Sequence, residues 1–306
     1  MQQFLQLLII GLSVGATYAL IALGYTMVYG VLRLINFAHG DVYMVGAVVG
    51  LLVAHGLVRL SWSSWITMPL ILIGAVAACA VLGFLIEFLC YRPLRNRPRL
   101  VVLITAIGVS LLLENVVLKF FGPTQQTFPA VFRASALSFH VGAGVVYVSV
   151  LDALSLGLSC ALMVVLTWIV LKTRTGLALR AVSFRFDTAM LMGINTDSII
   201  SFTFILGSSL AAVAGVLDAI RYNVRWDMGI ILGLKAFIAA VLGGIGSIPG
   251  ALVGGLLIGL TETFLRGVIL PSNYTGYSDA AVFVILILML LVRPSGLMGR
   301  NVAEKV

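Results

Sequence analysis

The first 32 residues, Met1–Leu32, contain no Asp, Glu, Lys or Arg. A helix crosses the roughly 30 Å hydrocarbon core of a bilayer with about 20 apolar residues, so this run is long enough to span. Further charge-free runs follow at Leu60–Ile86, Ala153–Leu171, Ser198–Leu217 and Ala236–Thr261. Shorter ones lie at Val42–Val58, Leu100–Leu113 and Ala280–Val292, and Gly229–Val241 is interrupted only by Lys235. The reading is an all-α, polytopic transmembrane helix bundle of eight or nine spans with broken or re-entrant helices. It forms a single domain over 1–306, and 229–241 either crosses or re-enters. With 61% hydrophobic and 10% charged residues, soluble, disordered and disulfide-stapled folds are excluded.

Basic residues give the orientation, because cytoplasmic loops are enriched in Lys and Arg. Tyr91–Arg99 carries four arginines, Lys172–Arg185 is also basic, and Arg293, Arg300 and Lys305 follow the last span. The segment 122–152 has only Arg133 and is expected outside, with a short strand at Val145–Val150. Nine crossings then put the N-terminus outside and the C-terminus inside. Arg221 and Arg225 violate that pattern. The net charge of +8 follows from this loop distribution and calls for no nucleic-acid partner. No Lys or Arg precedes Arg33, so the first run lacks a signal peptide's basic region and is expected to remain as a span. Cys79, Cys90 and Cys160 show no metal-ligand spacing and are expected to be packing residues.

Glycines recur four apart at Gly11/Gly15, Gly46/Gly50, Gly229/Gly233, Gly250/Gly254 and Gly255/Gly259. Each pair lies on one helix face, where a second backbone can approach closely. Asn36–Gly50 and Gly244–Gly259 share a polar, glycine-containing break followed by a glycine-spaced helix, which suggests an internal repeat.

Three polar segments stand out. Arg33–Asp41 leaves little room for a loop between two apolar runs. It is either a broken helix lining a cavity, with helix ends offered to a carboxylate, or a tight turn in which Asn36 or Asp41 caps the next helix. The eight residues from Gly243 to Gly250 include four glycines and a proline, which end a regular helix. Lys235, just before them, costs about 2.5–3.5 kcal/mol at a helix centre, so it faces a partner, a cavity or the headgroups. Thr175–Asp197 reads as one short amphipathic helix stopped at Gly193, either docking a soluble partner or resting on headgroups. Glu87 is expected to pair with Arg92, while Glu114, Asp218 and Glu262 read as structural carboxylates. Asn273–Thr275 matches a glycosylation sequon. No catalytic constellation, metal cluster or phosphate loop is recognisable, so no enzyme activity is expected. An ion-coupled carrier or channel for small polar solutes such as urea or amides is the rival class.

Thr17–Gly30 (TYALIALGYTMVYG), Ile35–Gly46 (INFAHGDVYMVG), Tyr91–Arg95, Leu191–Thr196, Gly233–Gly250 and Arg293–Gly299 together resemble the LivH-type permeases of branched-chain amino-acid ABC importers. The likeness runs from the first span to the last. It implies a bacterial inner-membrane subunit that pairs with a second homologous permease above two ATP-binding subunits. A periplasmic binding protein would deliver the amino acid. ATP and Mg would act on the partners, with no cofactor on this chain. The substrate path is expected along Thr17, Tyr18, Asn36, Phe37, His39, Gly40, Lys235, Gly243, Gly244, Gly246 and Ser247. The ATPases would be met by a coupling segment over 173–197 that includes Arg180, Ala181, Asp187, Ala189, Gly193 and Asn195. Relatives usually carry an acidic residue shortly after the Arg-Ala pair, where Phe184 and Arg185 follow Ser183 here; Glu114 and Asp218 also depart from the uncharged residues expected.

Overall fold

The computed structural model describes residues 2–58, 63–95, 97–129, 136–141, 144–271 and 276–299. Arg133, Arg300, Lys305, the sequon and the start of the Leu60–Ile86 run lie outside them. Eleven helices are present among the described residues: α1 (Gln2–Leu32), α2 (His39–Val58), α3 (Ser64–Ile86), α4 (Arg99–Phe121), α5 (Val150–Lys172), α6 (Arg174–Phe184), α7 (Phe186–Leu191), α8 (Thr196–Tyr222), α9 (Met228–Gly243), α10 (Ile248–Phe264) and α11 (Tyr277–Val292). π turns extend α3 over Glu87–Tyr91 and α10 over Leu265–Ile269. Seven of these segments are long and apolar enough to cross a membrane, while α9 and α11, with 16 residues each, are shorter.

The sixteen residues of α9 reach about 24 Å. Leu297 N–H and Met298 N–H, in the segment after α11, donate to Leu242 O and Gly243 O at 2.8 and 2.9 Å. The end of α9 therefore lies beside the segment following α11. The arginine-rich turns gather at one end of the bundle, the basic end.

α1 and α8 form the centre, 67% and 78% buried over their apolar windows, whereas α4 and α5 are 22% buried and lie at the periphery. Burying apolar side chains gains little in lipid, so close backbone packing must hold the bundle together. At each of the ten glycines spaced four apart, an added Cβ would come within 3.0 Å of a neighbouring element. The tightest is Gly254 of α10, where it would lie 2.0 Å from Ala239 O of α9, and at Gly259 it would lie 2.2 Å from the Gly15 backbone of α1. α2 makes the equivalent approach to α8, with Gly46 against Ala212.

At the end of the bundle opposite the basic end, called outer after the charge rule, the segment between α4 and α5 holds a two-stranded antiparallel hairpin, β1 (Ala136–Val141) and β2 (Gly144–Ser149), paired Ala136 to Ser149. The expected strand is present but ends one residue earlier, because Ser149 Oγ accepts from Leu151 N–H at 3.2 Å and starts α5 at Val150. Gln6 of α1 binds the Tyr147 backbone through both amide atoms, at 2.7 and 2.9 Å, so the hairpin covers the outer end of α1. Arg221 and Arg225, which offend the charge rule at this end, are neutralised by Asp152 at 2.6 Å and Asp227 at 2.5 Å.

Candidate functional site: two cavities at opposite ends of the bundle

A cavity of about 530 Å³ opens at the outer end between α1, α8, α9, α10 and α11. Lys235, at the middle of α9, is 3% exposed and reaches Glu262 Oε1 and Asp279 Oδ1, each at 2.8 Å. Arg266, on the π turn after α10, contacts the same two oxygens at 2.7 and 3.0 Å. The four side chains close a ring of alternating charge, and Tyr18 OH donates to the second Glu262 oxygen at 2.8 Å. Among the alternatives open for Lys235, the structure selects a partner at the edge of a cavity. The π turn shifts the helix face between Glu262 and Arg266, and such bulges recur at functional sites. Sequence reasoning passed over Arg266 and Asp279; the only signal was Glu262/Arg266 at i, i+4 spacing.

Of the expected path residues, Tyr18 and Lys235 line this cavity. Thr17 is buried beside Tyr18, its hydroxyl donating to Ser13 O at 3.3 Å. Asn36, Phe37, His39 and Gly40 line neither cavity. The Arg33–Asp41 break is a tight turn that runs from the basic end at Arg33 into the interior of the bundle, where Gly40 meets α9 and Asp41 meets the middle of α4. Asn36 Oδ1 accepts from Ala38 N–H at 3.1 Å and from Tyr91 OH at 3.0 Å, and so caps the entry to α2. Asp41 instead accepts from the Ser110 hydroxyl of α4. A Cβ on Gly40 would lie 2.4 Å from Gly229 O, so this turn fixes the approach of α2 to α9. Two helical turns below Tyr18, the Tyr25 ring meets His39 at 4.7 Å and Phe237 at 6.0 Å, and Phe37 lies 6.3 Å from Phe237. An aromatic layer thus crosses the bundle beneath the charged ring. Gly243, Gly244, Gly246 and Ser247 form the α9–α10 turn, where Ser247 Oγ accepts from Gly250 N–H at 3.2 Å and residues 297–298 close over it.

The second cavity, about 1020 Å³, opens at the basic end between Arg33, Arg92, Arg95, α6, α7 and the start of α8. Glu87 is fully buried in its π turn, 3.1 Å from Arg92, as expected from sequence, and also bound by Arg95. Ser201 Oγ donates to Glu87 Oε2 at 2.7 Å, and Arg95 also binds Asp197, tying the end of α3 to the start of α8.

The amphipathic segment is two helices rather than one. Arg185 is extended (φ −149°, ψ 107°) between α6 and α7, which lets Phe186 turn inward while Phe184 stays exposed. Arg180 donates to Val170 O at 2.6 Å and pins α6 under α5, with Ala181 half-buried behind it. Ala189 is buried, Gly193 makes the turn at φ 80°, and Asn195 Oδ1 caps α8 through Ser198 N–H at 3.1 Å. Asp187 is exposed at the cavity wall. Phe184, Leu191 and Met192, at 79%, 87% and 77% exposure, form an apolar edge beside it. This edge lies on the same face as the arginines, a face that belongs to water and headgroups rather than to hydrocarbon.

Comparison with known proteins agrees with this architecture. Residues 7–293 match the family described as "Branched-chain amino acid transport system / permease component". The chain is 42% identical to the high-affinity branched-chain amino acid transport system permease protein LivH of Escherichia coli K12, over 99% of this chain and 98% of that one. It is also 42% identical, with the same coverage of both chains, to the permease protein BraD of the corresponding Pseudomonas aeruginosa system. Identity this high over essentially the whole length, carried on a polytopic helical bundle, places the chain in the branched-chain amino-acid transport permease family.

Proposed function

We propose that this chain is a translocation subunit of an ATP-driven importer for branched-chain amino acids in a bacterial inner membrane. It works with a second homologous permease, two ATP-binding subunits and a periplasmic substrate-binding protein. ATP and Mg act on the ATP-binding partners. The supporting observation is the pair of cavities at opposite ends of one bundle, with the Tyr25–Phe37–Phe237 aromatic layer between them. Alternating access needs a site reached from each side in turn. The outer cavity receives the amino acid. Thr17 and Tyr18 on α1, Lys235 on α9, and the turns at 36–40 and 243–247 that set the tilt of α2, α9 and α10 form or steer the path. Movement of α9 against α2, whose backbones touch at Gly40 and Gly229, parts the aromatic layer.

At the basic end, 173–197 is the coupling segment. Arg180 and Ala181 seat α6, Asp187 offers charge, and Ala189, Gly193 and Asn195 hold α7 against α8. The exposed Phe184, Leu191 and Met192 enter a groove of the ATP-binding subunit, as an apolar helix edge does.

Purification of the tagged chain in mild detergent is expected to recover one other permease and two ATP-binding proteins. Vesicles containing that complex and its binding protein take up leucine only with ATP. Recovery of the chain alone, or leucine uptake without ATP, supports the ion-coupled class instead. Leu191→Asp with Met192→Asp leaves the chain folded and lowers co-purified ATP-binding subunit at least tenfold, read from stained bands.

A further inference from the structure

The charged ring in the outer cavity has two features that a purely structural salt bridge does not need. Its members differ in exposure: Lys235 and Glu262 are about 4% exposed by side chain, whereas Arg266 and Asp279 are 45% and 32% exposed and face the cavity. It is also electrically closed, with two cations and two carboxylates each touching both opposite partners. An added anion or cation would leave an unbalanced charge in a partly desolvated site, which is unfavourable. An added molecule carrying one charge of each sign leaves the balance at zero.

We propose that this ring is a recognition site for the zwitterionic head of an aliphatic α-amino acid, deepening the transport function proposed above and resting on it. The α-carboxylate enters between Lys235 and Arg266, replacing the Asp279 oxygen that bridges them. Asp279, released on the exposed side, accepts the α-ammonium. Glu262 stays paired with Lys235 and is held from behind by Tyr18 OH. Ser278 Oγ, which accepts from Arg266 Nε at 2.7 Å, keeps the guanidinium aimed at the exchange position. Ile10, Val14, Met228, Ile231 and Leu232 form an apolar stretch of the wall that receives the side chain, beside the paired Arg225 and Asp227. Binding exchanges one set of ion pairs for another of the same charge. The ligand can therefore be held without being trapped, as a permease requires.

Removing one member of a buried pair strands the other, whereas removing both is often neutral for folding. The decisive variant is therefore Lys235→Met combined with Glu262→Gln, in the complete importer in liposomes with loaded binding protein and radiolabelled leucine. The double variant is expected to assemble with its partners at the wild-type ratio while initial leucine uptake falls at least fivefold. A smaller loss overturns the proposal, since it shows that the pair serves only the fold. If the double variant does not assemble, Asp279→Asn, at a half-exposed position, is held to the same fivefold threshold. Wild-type complex in the same liposomes reads the transport assignment separately. Absence of wild-type uptake overturns that assignment, while normal wild-type uptake with an active variant overturns the zwitterion site alone.

Discussion

Gly259→Val is expected to prevent accumulation of the folded chain in the membrane, whereas Gly108→Val leaves it unchanged. At Gly259 a Cβ would lie 2.2 Å from both Cα and N of Gly15, and 2.8 Å from Gly11 O. None of these is a flexible side-chain end, so α1 and α10 must separate along the seam that also seats Gly255 against Ala19. Overpacking a core commonly costs 1–3 kcal/mol, and a backbone-to-backbone clash in the central helix pair lies at or above about 3 kcal/mol. Bilayer burial offers no compensating hydrophobic gain, because lipid is as apolar as the helix surface. Gly108, on peripheral α4, has nothing within 4 Å of an added Cβ. The check is fluorescence size-exclusion of both variants in detergent, followed by a thermal ramp. A monodisperse Gly259→Val peak that melts with the wild type would refute the packing account.

Glu87→Leu is the second change with a large expected effect. Glu87 is fully buried and balances Arg92 and Arg95 while accepting from Ser201. Breaking a buried pair by removing one partner costs about 3–5 kcal/mol. Part of that is recovered here, because Arg92 is 31% exposed and Arg95 retains Asp197. The expected result is a lowered melting temperature in detergent and at least tenfold slower uptake by the assembled importer. Uptake suffers because the same carboxylate joins the end of α3 to the start of α8, beside the coupling segment. Glu87→Gln keeps the Ser201 hydrogen bond but not the charge, and falls between the two. A Glu87→Leu chain as stable as wild type would remove Glu87 from any role in holding the basic end together.

The sequence by itself determined the membrane class, the apolar segments and the gathering of arginines at one end of the bundle. Each follows from one-dimensional quantities: apolar length against bilayer thickness, and the placement of arginines along the chain. It also determined which helices pack closely, because glycines four apart lie on one face whatever lies opposite. Pairing Glu87 with Arg92 was legible for the same reason, since five residues is within reach along one helical segment. The break before α2 was legible as a break, but its meaning was not. Whether Asn36 met a substrate or a backbone N–H depended on Tyr91, 55 positions away, closing over it.

Tertiary structure alone decided the charged ring. Lys235, Glu262, Arg266 and Asp279 come from three helices and a π turn, and no local pattern announces that they converge. Lys235 invited the thought of a substrate carboxylate, yet in the fold it already holds two protein carboxylates. The division of 174–191 into two helices was also hidden, because Arg185 leaves the helix so that Phe186 packs partly against the core, a contact between segments that no local pattern shows. Local composition sets where a helix can lie in a bilayer; which charge neutralises which is set by contacts between distant segments, since in low dielectric every buried charge must find a partner wherever the packing brings one.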